Sequence, residues 1–446
     1  MQGSRTLIAL VAAFAAFVAM PLYAQWTPLW SGAWQNELEA RSAYPIGVKV
    51  VEGGRSFALL SVAHDGQEHL ALARFDEGGS FVWMRERPGG DNPGFQPLAS
   101  GLVVVADNLG PVVRVRAHDG VSGDVVWEDA SRNGTLAAGE HVVVVGVDGG
   151  LMLPAIDGDD IVVIRYGADG SLRPTWRWSP GPEFRRAEDI IALADGGAVL
   201  GVAGNRLSGG YIVVRFDAQG GVVFHDRELG TFDGGTFSRR LRLGVDTGGN
   251  VLAQGVLLNP LRNFQAQVWK LAPDGSRLWT TQLVNPINQN LGIEADGFVL
   301  DAGGDALVAI DPILDHPMRL VRLDGATGMP QGFADAALEG MPHSLVREPN
   351  GRLLLAGTYY VNAQGHIGAR LAEFDAQLRP CRSSDLGAQY AVAVPEGGAT
   401  GWTVIANTRW VAGNNEAVLS RYDAQGSCEF GDAIFTDAFE AAVSAD

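Results

Sequence analysis

The densest group of metal-capable side chains is the stretch IDGDDI, in which Asp157, Asp159 and Asp160 flank Gly158. Carboxylate oxygens clustered in this way are hard ligands of the kind calcium takes. The loop lacks the spacing and the closing Glu of an EF-hand, so the competing reading is a solvated turn leading into a strand. Two cysteines, Cys381 and Cys428, are too few for a thiolate metal site. In an oxidising compartment such a pair is expected to form a disulfide. The eight histidines, His64, His69, His118, His141, His225, His316, His343 and His366, are scattered, and none pairs with another at metal-ligand spacing. HExxH, GxSxG, Walker and dinucleotide-binding phrases are absent. No catalytic residue is assigned, and calcium at the aspartate cluster is the one candidate cofactor. A site gathered from distant parts of the chain stays open, so the question passes to the elements that would gather it.

The N-terminus sets the compartment. Arg5 precedes the apolar run Leu7–Val18, and MPLYAQ follows. A charged residue, a short apolar run and a small-residue site are the pattern of a signal peptide, here with cleavage expected after Ala24. The chain is therefore expected to be secreted or periplasmic, with no membrane attachment after cleavage. Its formal charge of −18 over 446 residues repels phosphate backbones and argues against nucleic acid as a partner.

Two phrases alternate along the remaining chain. One is a small or acidic residue, a glycine turn and a strand: EGGRSFALL (52–60), ASGLVVVAD (99–107), ADGGAVLGVAG (194–204), DTGGNVLAQG (246–255), EPNGRLLLAG (348–357). Its turn glycines, from Gly54 to Gly398, recur about every 49 residues. The other is YIVVRFDAQGGVVF (211–224), echoed by LALARFDEGGSFVW from Leu70, QVWKLAPDGSRLW from Gln267 and VLSRYDAQGSCEF from Val418, again about 50 residues apart. Segments such as SRRLRLGVD (238–246) and PHSLVREP (342–349) add a further strand before the next glycine turn. Four short antiparallel strands per repeat make a propeller blade. A single blade cannot bury both faces, whereas blades stacked radially cover one another. The expected fold is an all-β propeller of about eight four-stranded antiparallel blades, with seven as the alternative. It is bounded as residues 1–24 signal peptide, 25–430 propeller and 431–446 tail. The aromatic stretch QWTPLWSGAW (25–34) is expected to close the ring by joining the last blade, because an open ring leaves two bare sheet edges.

In the repeated phrase, Asp217 suits a turn by accepting backbone amides, and Gly220 supplies positive φ. Arg215 and Asp217 lie two apart on one strand face and can meet, as can Arg74 and Asp76, Arg322 and Asp324, Arg421 and Asp423. The arginines are expected to pack between blades, with their heads on turn carboxylates or carbonyls. Trp83, Trp127, Trp176 and Trp279 end the phrase and are expected to wedge between sheets. Cys381 and Cys428 follow the turn in consecutive units, one residue out of register, and their disulfide would pin the C-terminal blade.

The stretch VRAHDGVSGDVVWED (115–129) resembles the repeat of quinoprotein-type (PQQ-like) propellers, and DDIVVIRYGADGSL (159–172) looks like the delta-60 repeat of secreted bacterial propellers. The resemblance implies blade packing. The adjacent-cysteine disulfide, calcium ligands and catalytic Asp of quinoprotein dehydrogenases have no counterpart that aligns here. The tail DAIFTDAFE (432–440) resembles an ending of secreted gammaproteobacterial proteins, with Ala438 in place of Gly. The resulting expectation is a secreted, monomeric, non-enzymatic scaffold that binds a protein, glycan or small molecule through loops such as 87–97 and 283–292. The alternative is a metal- or quinone-dependent oxidoreductase or lyase with a site at the propeller axis.

Overall fold

In the computed structural model, residues 30–33 and 42–423 are described, apart from 52, 65–66, 138–142, 182–183, 205–209, 229–238, 259–263, 284–293, 312–316, 340, 349, 361–366, 386–389, 393–401 and 412–413. The signal-peptide, tail and Cys428 expectations lie outside them.

Eight antiparallel sheets follow one another among the described residues, the all-β propeller read from the repeat. Blades 1 to 7 cover residues 42–88, 91–133, 135–178, 184–228, 239–283, 294–339 and 341–385. Blade 8 combines Tyr390–Val392, Trp402–Val411 and Asn414–Asp423 with the N-terminal strand Trp30–Ala33, which runs antiparallel to Asn414–Asp423 in the register Trp30↔Arg421. Blade 1 touches blade 8, so the ring is closed. Blade 3 has five strands because its first strand is broken into Thr135–Leu136 and Val144–Val145, both paired with Leu151–Asp157. Pro154, which has no amide hydrogen to donate, sits at the level of that break.

The middle strands are apolar on both faces because both faces are covered. In Tyr211–Phe216, Tyr211, Ile212, Val213 and Val214 are fully buried, as are Ile161–Ile164 one blade earlier. Each such side chain contributes about 1.5–3 kcal/mol of burial. The phrase RFDAQGG then makes the turn. Asp217 Oδ1 accepts the amides of Gln219 and Gly221, and Gly220 holds φ +88.

The same glycine also sets the inter-blade contact. The Trp176 ring of blade 3 lies against Gly220 of blade 4, so that a Cβ there would come within 2.7 Å of Nε1 and 2.5 Å of Cγ. Trp83 faces Gly123, Trp127 faces Gly170, Phe224 faces Gly275 and Trp279 faces Gly328 in the same way, each glycine at positive φ. One residue type thus meets two demands, a left-handed turn and room for an aromatic face. Arg74, Arg215 and Arg322 set their heads on turn carbonyls of the next blade, as expected, and differ only in not pairing with the Asp two residues on. Arg215 donates to Pro273 O in the next blade (2.8 Å) and pairs with Asp195 in its own (2.7 Å). It does not pair with Asp217, whose carboxylate is taken up by its own turn.

Candidate functional site

The first strand of each blade touches the first strand of its neighbours, which places these strands around the axis. Six of them share a local irregularity. Pairing with the second strand slips at Gly47, Gly94, Asp189, Arg242, Gly297 and Ser344 or the residue beside it. Each of these positions stands seven residues before the glycine whose amide closes the following turn. A bulge bends a strand and re-aims the side chain at it, and here the result is one layer around the axis. In that layer three blades carry glycine and the other three carry a carboxylate, a guanidinium and a hydroxyl.

From this layer to the glycine turns runs a cavity of about 590 Å³, walled by the first strands of blades 1, 3, 4, 5, 6 and 7. Its apolar wall includes Val144, Ile191, Val245, Phe298 and Leu300. Its charged side chains are Lys49, Asp189, Arg242 and Arg347. Asp189 is buried, and its two oxygens take the amides of Ile190 (2.9 Å) and of Leu243 in the next blade (2.8 Å). The second bond satisfies a donor on an inner strand edge that has no strand beyond it. Burial pushes the Asp189 carboxyl up to about 7, against the pull of the Arg242 guanidinium and of the two amides. Lys49 and Arg347 are half-buried. Among the described residues neither has an ion-pair or hydrogen-bond partner. The arrangement can hold a small molecule with an apolar body, place positive charge against it and offer one carboxyl that titrates near neutrality.

The residues singled out from the sequence lie elsewhere. Asp157 and Asp160 flank the turn between the second and third strands of blade 3, and both pair with Arg177 at 2.6 Å. Ser179 also donates to Asp160. The guanidinium thus stands where a cation bridging the two carboxylates would stand. No group of three or more His, Cys, Asp or Glu side chains placed to hold a metal occurs among the described residues. Cys381 is buried at the start of the outer strand of blade 7 and is disulfide-bonded. His69 faces Glu86, His118 bonds to Gly123 O and His225 packs on Trp178, in three different blades and away from the axis. The stretch 87–97 is mostly strand, with only Gly89 and Gly90 between Phe81–Pro88 and Asp91–Pro97. All but Leu283 of 283–292 lies outside the described residues.

A second buried constellation joins blades 1 and 2. Asp107, wholly buried, receives Nε and Nη2 of Arg114 (3.0 and 2.5 Å) and Nη2 of Arg87 (3.2 Å). Arg114 also donates to Pro88 O at 3.0 Å. Burial brings the Arg87 guanidinium down to about 10 despite the attraction of Asp107.

No family model matches the chain, and no curated protein does. Many solved structures are similar to it. The Dos1 propeller is 11% identical, with a TM-score of 0.56, over 89% of this chain and 95% of that one. Sqt1 from Chaetomium thermophilum is 13% identical, with a TM-score of 0.50, over 76% and 83%. A Synechocystis apocarotenoid oxygenase is 12% identical over 81% and 94%, with a TM-score of 0.45. The likeness to the Dos1 propeller, at 11% identity, shows the propeller fold alone.

Proposed function

We propose that this chain is an exported, monomeric, non-enzymatic propeller scaffold that binds a small molecule in its axial cavity. The observation that carries the reading is the cavity wall. Blades alike in turns, tryptophans and strand cores differ from one another at the axial layer, and there they enclose about 590 Å³. That volume lies within the range of small-molecule sites, which pair an apolar wall with a few fixed polar groups. A second reading, a lyase or oxidoreductase working in the same cavity, is favoured by Asp189, because a carboxyl titrating near 7 suits proton transfer. Its two amide bonds across blades 4 and 5 favour the structural use instead.

The test is a panel of defined small molecules screened by thermal shift and confirmed by calorimetry, on the parent protein and on Val245→Trp, which fills the cavity. Binding lost in Val245→Trp is expected. Binding unchanged in that variant places the site on the loops and overturns the axial reading. Conversion of a bound molecule that stops in Asp189→Asn replaces the scaffold with the enzyme. Calcium belongs to the proposal only at Asp157, Asp159 and Asp160, where it competes with the Arg177 that pairs with the first and last of them. A calcium-dependent rise in melting temperature that disappears in Asp160→Asn is the check.

A further inference from the structure

We infer that the ligand of the axial cavity is a small organic acid, an apolar body carrying one or more carboxylates or phosphates, gripped by Lys49 and Arg347. The inference rests on the axial reading above and adds the chemical class. Of the described charged side chains that line the cavity, three are cations and one is a carboxylate. This inverts the balance of the whole chain, whose formal charge is −18. The single carboxylate is already engaged: Asp189 is bound by the Ile190 and Leu243 amides and lies in the field of Arg242. Lys49 and Arg347 come from blades 1 and 7, and no carboxylate among the described residues neutralises either.

Cations held without partners in a half-enclosed space with both apolar and polar walls are a ready site for an oxyanion, because charge-assisted hydrogen bonds are stronger there than in water. Arg347 can meet a carboxylate or phosphate through two parallel N–H donors, and Lys49 supplies a second point of charge. The apolar side chains of the same cavity, Val245, Phe298, Leu300 and Val346 among them, suit an apolar linker and not a bare inorganic ion. The negative outer surface does not prevent entry, since its field is screened beyond about 8 Å at physiological ionic strength.

The experiment uses the mature protein with aliphatic dicarboxylates from succinate to azelate, alkyl phosphates of similar length, and the neutral diamides of the same acids. Calorimetry is run on the parent, on Lys49→Gln, on Arg347→Gln and on Val245→Trp, with melting curves to confirm that each variant is folded. The expected result is binding of acids of one preferred length, a loss of about tenfold in each single charge variant and no binding in Val245→Trp. Preference for dicarboxylates or for phosphates identifies the acid group. Diamides that bind as tightly as the acids, or acids indifferent to both charge variants, overturn the ligand class. If the diamides then lose binding in Val245→Trp, the axial site itself still stands. If no acid or diamide binds the parent, the ligand class fails, and the wider panel alone decides the axial reading.

Discussion

Replacing Gly220 by Ala tests the contact that recurs around the ring. Two penalties apply at that position. The backbone sits at φ +88, a conformation that costs an L-residue about 1–2 kcal/mol. The added Cβ also falls against the Trp176 ring, 2.5 Å from Cγ, so the indole must move. That ring is held by stacking on Phe216 (centroids 5.8 Å apart) and by the Arg165 guanidinium 4.2 Å from its centre. Overpacking of such a site costs about a further 1–3 kcal/mol. Gly101 provides the control, because it has φ +86 and nothing within 4 Å of a Cβ. Gly101→Ala is therefore expected to lose about 1–2 kcal/mol and Gly220→Ala about 2–5 kcal/mol in guanidinium denaturation. Adding Trp176→Ala to each variant completes the comparison: it should cost less in the Gly220→Ala background than in the Gly101→Ala background. Equal losses for the two glycines, or no difference between the backgrounds, would refute the claim that the aromatic face selects glycine there.

Four further outcomes are expected. The folded-state pKa of Asp189 is raised to about 7 from the ordinary 3.8, so its contribution is full below the ordinary value and lost as pH rises through about 7. Between pH 4 and 8 the parent should lose up to about 4 kcal/mol relative to Asp189→Asn, and parallel stability–pH curves for the two would exclude this. Asp107→Asn leaves Arg87 and Arg114 buried without their counter-ion and should cost about 3–5 kcal/mol, whereas Asp76→Asn in an exposed turn should cost about 1 kcal/mol. Deleting residues 25–34 strips the last sheet of its edge strand and is expected to lower the melting temperature and promote self-association, which light scattering would register. Peptide mapping without reductant should find Cys381 joined to Cys428, and free thiols at both positions would show otherwise.

What the sequence revealed and what it hid divide by physical cause. Turn glycines and aspartates are legible because φ above zero and amide-accepting carboxylates admit few residue types, so Asp217 and Gly220 return in nearly every unit. Tryptophans such as Trp176 are legible because each wedges against the next unit's glycine. Arg215 was half legible: its spacing from Asp217 suggested a pair along the strand, but the guanidinium reaches sideways to Pro273 O and Asp195. The axial layer was hidden because neither turn geometry nor blade packing dictates its residues. A signal existed nonetheless. Counting seven residues back from each turn glycine gives Gly47, Gly94, Asp189, Arg242, Gly297 and Ser344, a column in which glycine shares its place with three different polar residues. At Asp157 and Asp160 the carboxylates were legible and their partner was not, since local clustering says nothing of the Arg177 that reaches them from the outer strand.

The pairing of Trp30–Ala33 with Asn414–Asp423 also orders events in time. Seven sheets are each drawn from one contiguous stretch of chain and can assemble as it emerges. The eighth must wait for residues made nearly four hundred positions after its own first strand. The entropy of closing so long a loop rises only slowly with length, so the delay is kinetic more than energetic. Until the last strand arrives the ring stays open and unfinished.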